Sequence, residues 1–304
     1  MYEVLDENYM IYSELGGDDK FYLHLFCVNP AGRLKEYLEK GVSTIFFSAT
    51  LLPIHYYKKL LSTVSDDYAV YAESPFDAAH RLLMLGTDVS TRYKLRGTLM
   101  YRKYAEYLLK VAEAKAGNYI AFFPSYRFME EVYEEFLALL EEKGGDVEYV
   151  MQSQYMSEEA REIFLENFEE DRKNSLMGFC VLGGIFSEGI DLTEDKLIGT
   201  VIVGTGLPQV CRERELLKNF YDARGEDGFF YAYLCPGMNK VLQSAGRVIR
   251  TQEDTGIILL LDERFADHNY RNLFPAEWSD RRNCTLNTVE QQLGEFWNRV
   301  CMDK

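Results

Sequence analysis

Short apolar runs separated by amphipathic helical stretches constrain this 304-residue chain more than any other feature. The runs at 69–71, 82–85, 119–123, 147–151, 176–182, 199–203, 229–234 and 257–261 have strand length. Between them, residues 56–63, 99–116, 127–143, 157–170, 211–223 and 238–250 carry apolar side chains at helical spacing. Continuous apolar strands alternating with helices predict a mostly parallel sheet covered on both faces, an α/β architecture. Upstream, 2–15 and 20–28 alternate and are aromatic-rich around Gly16-Gly17-Asp18-Asp19, which predicts a β-hairpin. A short helix over 31–40 and a buried strand over 44–47 follow. Near the end, Val289, Leu293, Phe296, Trp297 and Val300 form a helical stripe suited to docking on the domain. A hydrophobic content of 47% is enough for a full core.

Two segments carry chemistry. In Gln243-Ser244-Ala245-Gly246-Arg247-Val248-Ile249-Arg250, helical spacing puts Gln243, Arg247 and Arg250 on one face at i, i+4 and i+7. Gly246 opens a gap beside them, and Val241, Leu242, Ala245, Val248 and Ile249 line the opposite face. Arginine held in place suits phosphate, because its planar fork donates several hydrogen bonds and keeps its charge. The second segment, Gly183-Gly184-Ile185-Phe186-Ser187-Glu188-Gly189-Ile190-Asp191, directly follows the apolar run 176–182. Strand, paired glycine and polar turn is how α/β folds build a ligand loop at the carboxyl edge of a sheet.

These segments, in this order and some fifty residues apart, closely resemble motifs V and VI of superfamily 2 helicases of the XPD/DinG type. Ser48-Ala49-Thr50-Leu51, after the run 44–47, resembles motif III. Phe122-Phe123-Pro124-Ser125-Tyr126 resembles motif IV. The resemblance extends from about Asn29 to about Phe265 and implies the C-terminal, RecA-like motor lobe of such an enzyme. It implies that residues 1–50 are the tail of the first motor lobe and 51–304 the second lobe. Carried over to matching positions, it gives Arg247, Arg250 and Gln243 as catalytic groups. Gly246, Glu188, Gly189 and Asp191 would meet nucleotide; Ser48, Thr50, Ser125, Tyr126, Gly183, Gly184 and Ser187 would meet nucleic acid. It further implies ATP with Mg2+ held mostly by the first lobe, single-stranded DNA as partner, and 5′-to-3′ movement.

The sequence also lacks something. No G-x-x-x-x-G-K-[ST] phosphate loop occurs in it. The isolated chain is therefore expected to be inactive, and the partner expected is a first motor lobe. Asp262-Glu263, after the run 257–261, mimics a strand-end metal site, yet it follows the arginine segment and reads as a structural carboxylate pair bound to arginine. The six cysteines have no C-x-x-C pair, and four dispersed histidines suggest no metal site. Family members often carry an iron–sulfur cluster, but its ligands belong to the first lobe. The cysteines read as reduced thiols in a cytoplasmic protein, and neither a membrane span nor a signal peptide is evident.

A net charge of −16 runs against a nucleic-acid footprint, although overall charge governs solubility more than one groove. Arg92, Lys94, Arg96, Arg102 and Lys103 form a basic cluster compatible with a backbone track or with an ordinary helix start. Among the many aromatics, Tyr126 and Tyr93 are the candidates for base stacking. Two function classes stay open: a helicase motor lobe, or a non-catalytic interaction module that keeps a motor fold. The hairpin and Ser-Ala-Thr segment favour the first, because an independent module has no reason to retain them.

Overall fold

The computed structural model describes residues 5–17, 19–64, 66–169, 172–187, 192 and 196–302. In chain order the elements are β1 (Tyr9–Leu15), β2 (Phe21–Cys27), α1 (Ala31–Leu38), α2 (Ile54–Leu61), β3 (Arg81–Gly86) and α3 (Thr98–Ala114). Then come β4 (Asn118–Phe123), α4 (Tyr126–Lys143), β5 (Val147–Met151), α5 (Glu158–Glu166), β6 (Ser175–Val181) and β7 (Gly199–Val203). The last are α6 (Arg212–Asp222), α7 (Cys235–Ala245), β8 (Gly256–Leu261), α8 (His268–Arg271), β9 (Arg282–Cys284) and α9 (Val289–Met302). Contacts divide the chain into two compact units: Met1–Ala72 with Pro208–Pro236, and Glu73–Leu207 with Gly237–Lys304. This division does not follow the 1–50 and 51–304 partition, which rests on the family's lobes and not on contacts.

In the larger unit, seven strands form one sheet in the order β5-β6-β4-β7-β8-β3-β9, and their pairings are parallel. Strands β4, β7 and β8 are buried along their whole length, as continuous apolar runs must be when helices cover both faces. The α/β expectation therefore holds. Helix α9 buries Val289, Leu293, Phe296, Trp297 and Val300, the stripe read from sequence. Each large side chain so buried stabilises by about 1.5–3 kcal/mol.

In the smaller unit, β1 and β2 pair antiparallel from Tyr9–Cys27 to Leu15–Phe21, the expected hairpin. Helix α6 adds Tyr221, whose ring stacks on Tyr231 at 3.9 Å between centroids.

Four expectations fail, each for a physical reason. The run 44–47 is not a strand: Ile45 and Phe47 are 82% and 89% exposed. Apolar alternation reports a tendency to be buried, but a strand also needs a neighbouring backbone, and the described residues supply none there. The run 69–71 is likewise irregular and exposed. Residues Phe230–Leu234 form a turn of π-helix running into α7 instead of a strand. A short apolar run does not distinguish the two; here Asp227 accepts from the Phe230 N–H at 2.9 Å and starts the helix.

The helix expected over 238–250 stops at Ala245. Past Gly246, the Asp254 carboxylate accepts from the backbone N–H groups of Arg250 and Thr251, both at 2.7 Å. The Thr251 hydroxyl returns a bond from Asp254 N–H at 3.2 Å. This reciprocal turn competes with helix continuation and swings the chain toward β8. Arg247 and Arg250 therefore do not extend a helical face with Gln243. Strand β9 was not foreseen; its three residues pair with β3.

Candidate nucleotide and nucleic-acid site

Because the strands of the larger unit are parallel, their carboxyl ends share one edge, and the residues just beyond them gather there. Ser125 and Tyr126 follow β4, Gln152 follows β5, Gly183 and Gly184 follow β6, and Asp262 follows β8. Ser125 caps α4, its hydroxyl accepting from the Phe128 N–H at 3.3 Å.

The paired glycines are required by geometry. Gly183 has φ of +74°, the left-handed region. A Cβ on Gly184 would lie 2.9 Å from the Val181 carbonyl oxygen and 3.3 Å from Gln152 Nε2. The loop closes on Ser187, which is fully buried. Its hydroxyl accepts from the Gly183 N–H at 2.7 Å and donates to the Val181 carbonyl at 3.2 Å. The resemblance gives Ser187 a contact with nucleic acid; its side chain holds the loop together from inside. Glu188, Gly189 and Asp191 lie outside the described residues.

The arginine segment meets this loop. Arg247 Nε donates to the Ser187 carbonyl at 3.2 Å, joining segments sixty residues apart. Lys240, on α7, lies along Gly183: its Cδ and Cε would be 2.9 Å from a Cβ there. Gln243 and Gly246 fall between these two cations in sequence, on and just beyond the end of α7. Arg250 is anchored through its backbone to Asp254.

Gln152 was missed by sequence reasoning. It is 2% exposed, and both ends of its amide are engaged: Oε1 accepts from the Val181 N–H and Nε2 donates to the Tyr126 hydroxyl, each at 2.9 Å. The only sequence signal was a polar side chain immediately past an apolar strand. Tyr126 packs its ring against the hydrophobic core, and burial raises its phenol pKa, so it stays protonated.

Asp262 is structural, as its position past the arginine segment suggested. Its buried carboxylate accepts from Thr91 N–H at 2.9 Å, from Thr91 Oγ1 at 2.8 Å, and from Arg264 Nε and Nη2 at 2.8 Å each. Burial opposes its ionisation, but the Arg264 guanidinium and the Thr91 donors outweigh that and hold its pKa below the usual value. Arg92 pairs with Glu263 at 3.0 Å, Arg102 with Glu142 at 2.5 Å, and Lys103 with Asp88 at 2.8 Å. Much of the basic cluster is thus neutralised internally. Tyr93 is exposed, with Arg96 5.7 Å from its ring.

In the smaller unit, Ser48 and Thr50 are exposed or half-buried, and Ser48 Oγ accepts from the Thr50 N–H at 3.2 Å. The cysteines are free, with Cys180, Cys235 and Cys284 buried. Among the described residues no three His, Cys, Asp or Glu side chains converge as metal ligands. No helix among them is long and apolar enough to cross a membrane.

Comparison with known proteins decides the family. The family model described as the helicase C-terminal domain matches residues 108–281, more than half of the chain. The chain belongs to the helicase C-terminal domain family. A probable ATP-dependent helicase of Methanocaldococcus jannaschii is 27% identical over 280 residues, covering 86% of this chain and 40% of that protein. The XPD helicase subunit of general transcription and DNA repair factor IIH from Arabidopsis thaliana is 25% identical over 288 residues, covering 87% and 36%. A solved apo XPD structure superposes with a TM-score of 0.64 at 22% identity, covering 91% of this chain and 55% of that one, a likeness of fold. This is the C-terminal lobe of an XPD-like superfamily 2 helicase, and it spans about two fifths or less of the curated relatives' length.

Proposed function

We propose that this lobe completes an ATP site with a first motor lobe and thereby drives movement along single-stranded DNA, 5′ to 3′. The observation that carries the reading is the bond from Arg247 Nε to the Ser187 carbonyl, which links the arginine turn to the Gly-Gly loop at one sheet edge. During phosphoryl transfer, charge builds on the transferring group, and a fixed guanidinium stabilises it. Arg247 and Arg250 fill that role from the second lobe, which makes hydrolysis conditional on closure. Gln243 orients the arginines or the attacking water. Magnesium and most of the nucleotide contacts come from the first lobe, because this chain has no phosphate loop. Glu188, Gly189 and Asp191 relay nucleotide state to the nucleic-acid face.

Residues 1–50 are, in this reading, the tail of the first lobe. The exposed Ile45 and Phe47 support it: an apolar run of strand length, with no strand beside it among the described residues, suits an outside sheet. By the same reading the protein is cytoplasmic. The test is turnover with and without a first lobe. The chain alone should neither hydrolyse ATP nor unwind DNA, and should bind single strands only weakly, its charge of −16 opposing them. Addition of the first lobe should give DNA-stimulated hydrolysis; turnover by the pure chain alone would overturn the reading.

A further inference from the structure

The amide of Gln152 has only one possible orientation, and that orientation determines what Tyr126 can do. The Val181 N–H is a donor and nothing else, so the atom facing it at 2.9 Å must be the amide oxygen. The amide nitrogen therefore faces Tyr126 and donates to its hydroxyl oxygen at 2.9 Å. A phenol that accepts from Gln152 keeps its own hydrogen for a different acceptor, and among the described residues Tyr126 makes no second hydrogen bond. The ring packs against the core, and Tyr126 directly follows β4 at the carboxyl edge of the sheet. Burial keeps the hydroxyl protonated.

We propose that Gln152 is a positioning residue that makes Tyr126 a dedicated hydrogen-bond donor to a phosphate oxygen at the carboxyl edge of β4–β6. Phosphate oxygens only accept, so they match a hydroxyl whose accepting side is already occupied. The inference rests on the nucleic-acid reading above. The phosphate belongs either to a nucleic-acid backbone or to a nucleotide, and the two are separated by the probe. Gln152 also holds the end of β6, where the paired glycines begin, so one side chain sets the donor and the loop in register.

Gln152→Glu tests this sharply. At mildly alkaline pH its two carboxylate oxygens can still accept from the Val181 N–H and meet Tyr126, but only by taking the phenol's proton as an acceptor. The side chain keeps its shape while the phenol's donor is turned inward. Binding of a fluorescein-labelled oligothymidylate and of a fluorescent ATP analogue would be measured by anisotropy in the complex with the first lobe for wild type, Tyr126→Phe, Gln152→Glu and the double variant, with melting temperature as the folding control. Each single variant should weaken one of the two probes on the order of tenfold, as loss of a hydrogen bond to a charged group does. The probe affected identifies the phosphate. The double variant should be no weaker than Tyr126→Phe. If Gln152→Glu weakened binding equally in the Tyr126→Phe background, the cause would be added negative charge and the proposal would fall. Unchanged binding of both probes in both single variants would overturn this inference alone. Should Gln152→Glu fail to fold, Tyr126→Phe with wild-type affinities overturns it by itself. A wild-type complex with the first lobe that binds neither probe would overturn the underlying nucleic-acid reading instead.

Discussion

Removing the Asp262 carboxylate would expose how the edge of the sheet is held. Asp262→Ala deletes the acceptor of five side-chain and backbone donors from Thr91 and Arg264, and it strands a guanidinium that is only 15% exposed. Breaking a buried pair from one side costs about 3–5 kcal/mol, because the remaining charge loses its partner. For domains of 150–250 residues each kcal/mol lowers the melting temperature by about 2–4 °C, so a fall of roughly 6–20 °C follows. Arg264→Ala in the same background should recover part of that loss, since no charge is then left unpaired. The sign of the pH dependence is also set. The folded pKa of Asp262 lies below its unfolded value, so its contribution is present above the unfolded pKa, about 3.9, and is lost as pH falls through the folded pKa. Calorimetric scans of the three proteins near neutrality and in acid provide the assay. A melting temperature within a degree of wild type for Asp262→Ala would refute the network as a stabilising one.

Two further predictions concern the ligand loop and the missing half of the site. In the enzyme completed by a first lobe, substitution of Glu188 or Asp191 should reduce DNA-stimulated hydrolysis more than ATP binding; equal loss of both with unfolding would mean that these carboxylates only cap a turn. Without that lobe, single-strand affinity should stay weaker than micromolar at physiological salt, and a submicromolar value in a salt titration would mean that the surface charge has been misjudged.

The parts of the fold legible in the sequence are those fixed by local pattern. Strands β4, β7 and β8 were read nearly to their ends because a continuous apolar run that packs on both faces has few other solutions. The stripe of α9 was legible for the corresponding helical reason. What failed depended on partners distant in sequence. The helix through 238–250 looked continuous because periodicity cannot register a carboxylate four residues past Arg250 competing for its backbone N–H. The run 44–47 signalled burial without naming a neighbour. Within the site, motif spacing brought the Gly-Gly loop and Arg247 under one heading, and the contact between them is there. It did not reveal that Ser187 faces inward, nor that Gln152 bridges Tyr126 and Val181, residues 26 and 29 positions away.

The central claim is that the arginine turn supplies transition-state charge to a shared ATP site, and single-turnover hydrolysis tests it most directly. In the complex with the first lobe and DNA, Arg247→Ala or Arg250→Ala should lower the hydrolysis rate on the order of a hundredfold or more while leaving ATP affinity nearly intact. Arg→Lys should restore little, since a point charge does not replace the fork. Both alanine variants hydrolysing ATP at the wild-type rate would contradict the account.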